Sequence, residues 1–192
     1  MLLHLAILGS TRGTDLEPIN EAINNGSLQA VIDIVISNKP DAYILERAKK
    51  FNLKTVCLES AGKERSVYDH ELLAEIKKYP IDLVLLIGYM RLLSSDFVRA
   101  YRGKILNVHP SLLPAFAGGM DLNVHAEVLK AGVPETGCTI HLVDEGVDTG
   151  KILLQKKCPV EPTDTVESLK KKVQKLEAEA WIEVIKLYPS LS

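Results

Sequence analysis

Two neighbouring side chains and one distant one carry groups able to do chemistry. The stretch KILNVHPSLLP places Asn107 and His109 two residues apart, so in an extended strand both project from one face. An amide donor and a titratable imidazole aimed at one point can hold a carbonyl oxygen and protonate it as negative charge develops. The same pair can equally close the edge of a sheet by hydrogen-bonding the next loop. Further on, Val143-Asp144-Glu145-Gly146-Val147-Asp148-Thr149-Gly150 is a turn dense in acids and glycine. An aspartate from it beside His109 would favour imidazolium and relay a proton, whereas turn aspartates commonly bond their own backbone. Spacing alone does not bring Asp148 to His109.

A third stretch, Gly9-Ser10-Thr11-Arg12-Gly13-Thr14-Asp15, leads from an apolar run into an amphipathic one. Glycines allow a tight turn, and free N–H groups at a helix start can receive a phosphate. It lacks the Lys-Ser/Thr of a P-loop and the spacing of a dinucleotide fingerprint, so a plain turn capped by Thr14 or Asp15 stays open. A metal centre is not expected: there is no HExxH or paired CxxC, and Cys138 and His141, three apart on a strand, face opposite ways. His4 falls inside the first strand, and His70 and His125 on helices, where packing or surface roles are expected.

These groups need a scaffold, and the pattern around them is that of an α/β protein. Short aliphatic runs alternate with amphipathic stretches, as in a mostly parallel sheet covered by helices on both faces. Strands are expected at Leu2–Leu8, Ala30–Ser37, Lys54–Leu58, Leu83–Tyr89, Ile105–His109, Thr139–Val143 and Ile152–Pro159. Helices are expected at Leu16–Asn24, Ala42–Phe51, Ser66–Lys78, Ser95–Tyr101, Asn123–Lys130 and Thr165–Leu187, the last opened by a capping box of Asp164 and Glu167. The irregular stretch Pro110–Leu122 exceeds the usual connection of about two to six residues, the mark of a functional loop. In such sheets ligands gather outside the carboxyl ends of the strands, where all three stretches fall.

Size and charge narrow the partners. The chain of 192 residues suits one domain, and its 46% apolar and 25% charged residues exclude a disordered or fibrous chain. A net charge of −2 without a basic block argues against nucleic acid and anionic membrane, leaving small molecules. The apolar start is too short to span a bilayer and lacks a basic leader, and three scattered cysteines suit a reducing compartment, so a cytoplasmic protein is expected.

The runs Ile105–Pro114 (ILNVHPSLLP), Gly137–Val143 (GCTIHLV) and Gly146–Gly150 (GVDTG) together resemble the phosphoribosylglycinamide formyltransferases, the folate-dependent family of purine synthesis. The resemblance extends nearly end to end and implies one Rossmann-like formyltransferase domain over residues 1–192, a monomer or homodimer. It implies transfer of the formyl group of 10-formyltetrahydrofolate to the amine of glycinamide ribonucleotide, without a metal. By resemblance His109 is the general acid, Asn107 holds the formyl oxygen, and Asp148 sets the charge of His109. Gly13, Thr14, Asp15 and Gly88 then correspond to contacts on the ribonucleotide phosphate, and Gln174 and Glu177 to contacts near its ribose. Arg65, Met90, Arg91, Leu92 and Leu93 correspond to contacts on the folate, with Asn107 and the loop Asp144, Glu145, Gly146, Val147 and Asp148 beside the pterin.

Two departures stand out. Asp15 replaces an asparagine common in the family, and a carboxylate facing a phosphate would repel it. The expectation is that backbone N–H groups make the cradle while Asp15 turns toward its own helix start, so that Asp15→Asn changes affinity modestly. The segment Ala115–Asn123 is longer and has fewer prolines than the family pattern. Formyltetrahydrofolate hydrolase and methionyl-tRNA formyltransferase share the core but carry further domains, and a non-catalytic nucleotide-binding module would use the Gly9–Asp15 turn alone.

Overall fold

The computed structural model describes residues 2–118 and 122–191, with no side-chain description for residues 122, 123 and 191. In chain order the elements are β1 (Leu3–Leu8), α1 (Leu16–Asn24), β2 (Ala30–Ser37), α2 (Tyr43–Lys50), β3 (Thr55–Cys57), α3 (Arg65–Ile76) and β4 (Leu83–Leu86). They continue with α4 (Ser95–Ala100), β5 (Ile105–His109), α5 (Leu122–Ala131), β6 (Glu135–Leu142), β7 (Ile152–Pro159) and α6 (Val166–Leu191).

Among the described residues these form one seven-stranded sheet in the order β3-β2-β1-β4-β5-β6-β7. The strands from β3 to β5 run parallel, and their apolar runs alternate between two buried faces. In β1, Leu3, Leu5 and Ile7 enter a core with α1, α2 and α6, while Ala6 and Leu8 enter the opposite core with Tyr68 and Leu72 of α3 and Phe97 of α4. Burial on both sides is why β1 reads as a continuous hydrophobic stretch.

Strand order switches from one side of β1 to the other between β1 and β4, which are parallel neighbours, the place where an open α/β sheet leaves a crevice. Gly9 closes β1 onto Ile36, and Ser10 N–H donates to the Gly88 carbonyl at 3.0 Å, tying the turns after β1 and β4 together.

Several local expectations are corrected. The last two strands are antiparallel, β5 to β6 and β6 to β7, and β6 begins at Glu135, four residues before the expected Thr139. β4 ends at Leu86 because Gly88 turns the chain at φ +60°. The helix cap at α6 is Thr165 with Ser168, each side-chain oxygen accepting the other's backbone N–H, rather than Asp164 with Glu167. Asp164 instead accepts from Ser168, Lys172 and the Glu161 N–H, which hold its carboxyl down to about 2. The departure noted at Ala115–Asn123 falls partly outside the described residues, at 119–121.

Candidate active site

Strand β5 delivers Asn107 and His109 to one face of the sheet, as the two-residue period requires. Across the antiparallel ladder Asn107 pairs with His141 and His109 with Thr139. The loop after β6 folds back so that Asp148 reaches both imidazoles, its Oδ2 lying 3.2 Å from His109 Nδ1 and its Oδ1 3.5 Å from His141 Nε2. Asp148 adopts a left-handed backbone at φ +54°, a conformation aspartate tolerates better than most residues, and accepts the Gly118 N–H at 2.9 Å. Three groups from separated parts of the chain thus meet.

Electrostatics here oppose one another. His109 is buried, which pushes its pKa down, while the Asp148 carboxylate pulls it up, and the balance is a lowered value. Its Nε2 donates to the Phe116 carbonyl at 2.9 Å, so both ring nitrogens face acceptors, the arrangement that imidazolium satisfies fully. Asp148 is held below the usual carboxylate range, first by the His141 ring 3.5 Å away and then by the Gly118 N–H and His109, against burial. His141 donates from Nδ1 to the Leu142 carbonyl at 2.9 Å, which leaves Nε2 to accept from Asn107 Nδ2 at 3.2 Å. That bond fixes which way the Asn107 amide points.

The cavity in front of these groups is about 480 Å³ and runs from the turn after β1 to the loop after β6. Every residue expected from sequence lines it: Gly13, Thr14, Asp15 and Gly88 at one end with Gln174 and Glu177 of α6, and Arg65, Met90–Leu93 and Asp144–Val147 at the other. Arg91 stacks over the Tyr68 ring, 4.8 Å from its centroid, and its buried Nε has no hydrogen-bond partner among the described residues. Asp144 accepts from Gly146 N–H and Thr149 Oγ, which folds the Asp144–Asp148 loop onto itself. No group of three or more His, Cys, Asp or Glu side chains placed to hold a metal occurs among the described residues.

The family model described as Formyl transferase matches residues 3–185. The chain belongs to the formyl transferase family. It is 34% identical over 182 residues to the phosphoribosylglycinamide formyltransferase of Bacillus subtilis, covering 94% of this chain and 92% of that protein. It is 41% identical over 180 residues to the trifunctional purine biosynthetic protein adenosine-3 of Drosophila melanogaster, covering 92% of this chain but 13% of that protein. The crystal structure of glycinamide ribonucleotide transformylase 1 from Symbiobacterium toebii superposes with a TM-score of 0.92 at 38% identity, covering 97% of this chain and 87% of that one.

Within this cavity, sequence reasoning missed His141 and misplaced Asp15. The pairing of His141 with Asn107 depends on an antiparallel register that no local pattern announces. His125, expected in a packing or surface role, is 2% exposed and lines the cavity. Asp15 does not turn to its own helix start: it makes no side-chain cap, and its Oδ2 accepts from Trp181 Nε1 of α6 at 3.2 Å. The indole offers a donor in a buried wall where the helix start is open to the cavity, and burial raises this carboxyl to about 7.

Proposed function

We propose that this chain transfers the formyl group of 10-formyltetrahydrofolate to the amine of glycinamide ribonucleotide, a step of purine synthesis, as one formyltransferase domain over residues 1–192. The observation that carries the reading is the convergence of Asn107, His109 and Asp148 on one cavity that also holds the Gly13–Asp15 turn. A nucleotide-binding module would need only the turn.

The cavity fits two ligands with different chemistry. The N–H groups at the start of α1 suit the ribonucleotide phosphate, and Gln174 and Glu177, one helical turn apart on α6, suit ribose hydroxyls. At the other end the turn Met90–Leu93 and the loop Asp144–Asp148 offer a slot for the flat pterin, and the Arg91 guanidinium suits a glutamyl carboxylate.

With both seated, the neutral amine attacks the formyl carbon and negative charge develops on the formyl oxygen. One N–H of Asn107 is engaged by His141, which orients the amide, and the second is available to the oxyanion. His109 gives its Nε2 proton to the same oxygen once the Phe116 carbonyl yields that position, while Asp148 remains on Nδ1 and stabilises the ring as imidazolium. The proton of the attacking amine then passes by way of His109 and Asp148 to the folate nitrogen, the C–N bond to the folate breaks with its electron pair going to that nitrogen, and the oxygen returns its proton to His109 as the carbonyl reforms. Alignment of amine and carbon supplies much of the acceleration, so no side-chain nucleophile is required.

The free thiols of Cys57, Cys138 and Cys158 suit the cytosol as the site of this reaction. The test is release of tetrahydrofolate from the formyl donor with and without glycinamide ribonucleotide. Strict dependence on the ribonucleotide supports transfer, equal rates would replace it with hydrolysis, and no release at all would leave a binding module.

A further inference from the structure

Asp15 is a buried carboxyl in this site for which the transfer scheme has no task. Its carboxyl is 4% exposed, held by Trp181 Nε1, and lines the cavity beside Gly13 and Thr14. The backbone N–H groups of Gly13, Thr14 and Asp15 donate to no protein acceptor among the described residues. Gly13 turns the chain there at φ +59°, and the first turn of α1 lies directly behind them. An anion drawn to those N–H groups therefore meets a carboxylate in the same dry wall. Like charges at such separation disfavour each other strongly unless one is neutralised.

We propose that the phosphate of the substrate is seated against the protonated, neutral form of Asp15, so that its binding draws one proton from solvent onto this side chain. The inference rests on the reading that the Gly13–Asp15 turn receives a ribonucleotide phosphate. A neutral Asp15 keeps its bond from Trp181 on one oxygen and offers an O–H donor from the other, so the wall changes from a repelling charge to a fourth donor. Burial, partly offset by the bond from Trp181, already brings the carboxyl to about 7, so near neutrality the proton is gained at little cost. Asparagine at this position is neutral at every pH; this chain makes the same surface only by taking up a proton.

Other charged groups border the same wall. Glu177 and Lys170 of α6, His125 of α5 and Arg12 of the turn line the cavity with Asp15. Cys138 of β6 feels both Glu177 and Asp15, and burial with these charges pushes its thiol to about 12, so it does not exchange a proton in the relevant range. Glu177 is the rival site for the proton.

The experiment is isothermal titration calorimetry with ribose 5-phosphate, which has no amine, at about pH 8 in buffers of different protonation enthalpy. The free ester is a dianion there, since its second pKa is about 6, so any proton uptake belongs to the protein. Uptake approaching one proton in the wild type, nearly none in Asp15→Asn and an unchanged amount in Glu177→Gln is the expected result. The wild-type dissociation constant should also weaken by up to about tenfold per pH unit from about pH 7 to 9, with a flat profile in Asp15→Asn. Equal proton counts in wild type and Asp15→Asn, uptake abolished by Glu177→Gln alone, a flat wild-type profile or no binding of ribose 5-phosphate would each overturn the inference. A flat wild-type profile overturns the inference even if a variant fails to fold. Absence of formyl transfer with the proton uptake intact would strike only at the proposed activity.

Discussion

His109 and Asn107 share one developing charge in the proposed reaction, yet their removal is expected to cost different amounts. His109→Ala should lower kcat by about 10²–10⁴-fold and Asn107→Ala by about 10²–10³-fold, the ranges for a lost general acid and a lost oxyanion donor. Steady-state turnover, with circular dichroism to show the fold intact, checks both, and near-normal rates in either would remove that residue from the chemistry. Asp148 raises the pKa of His109 against burial, so Asp148→Asn leaves only the Phe116 carbonyl to oppose burial and moves the alkaline limb of the pH–rate profile to lower pH. An unmoved limb would mean that the two groups are not coupled. Stability follows opposite signs at the two aspartates. Asp148 is lowered in the fold, so its contribution is present above the ordinary carboxylate value and is lost as pH falls through its own. Asp15 is raised from 3.8 to about 7, so its contribution is full below the former and is lost as pH rises through the latter. Asp15→Asn should therefore raise the melting temperature at about pH 8 and change it little at about pH 4, which differential scanning calorimetry can read.

Elements set these positions through a few backbone requirements. Gly13 sits at φ +59°, and a Cβ there would overlap the side chain of Ile44 from α2, so Gly13→Ala should destabilise the fold by about 1–3 kcal/mol and weaken phosphate binding together. Denaturant unfolding measures the first effect and ligand titration the second; a fully stable variant with normal affinity would show that the turn is not constrained. Thr165→Ala removes half of the reciprocal cap of α6 and should cost about 0.5–2 kcal/mol. The extents of α1, β2, β5 and β7 could be read from sequence to the residue, because each is an apolar run or stripe bounded by polar and turn residues. The direction of β6 and β7 could not, since parallel and antiparallel pairing is decided by contacts far apart in the chain. That is also why Asn107 and His109 were legible while His141, whose bond to Asn107 spans 34 residues, was not. Asp148 could be singled out in its acidic turn but placed beside His109 only through resemblance, because local pattern gives a turn aspartate its own backbone as partner. The bent course of that turn, with its left-handed Asp148, is a tertiary result.

On the scale of the whole molecule, the site is assembled across the sheet from both ends of the sequence. The turn after β1 and the last helix, 166 residues apart at Asp15 and Trp181, share one buried hydrogen bond, and α6 also packs on β6 and β7. Trp181 is the only tryptophan in the sequence, is fully buried, and gives its indole N–H to the carboxyl that changes charge near neutrality. Nature has thus wired a fluorophore to one titrating atom. Emission followed from about pH 5 to 9 should trace a single sigmoid centred near the Asp15 value, vanish in Asp15→Asn, and slide to higher pH as phosphate ester is added, so that occupancy can be watched by light with no label attached.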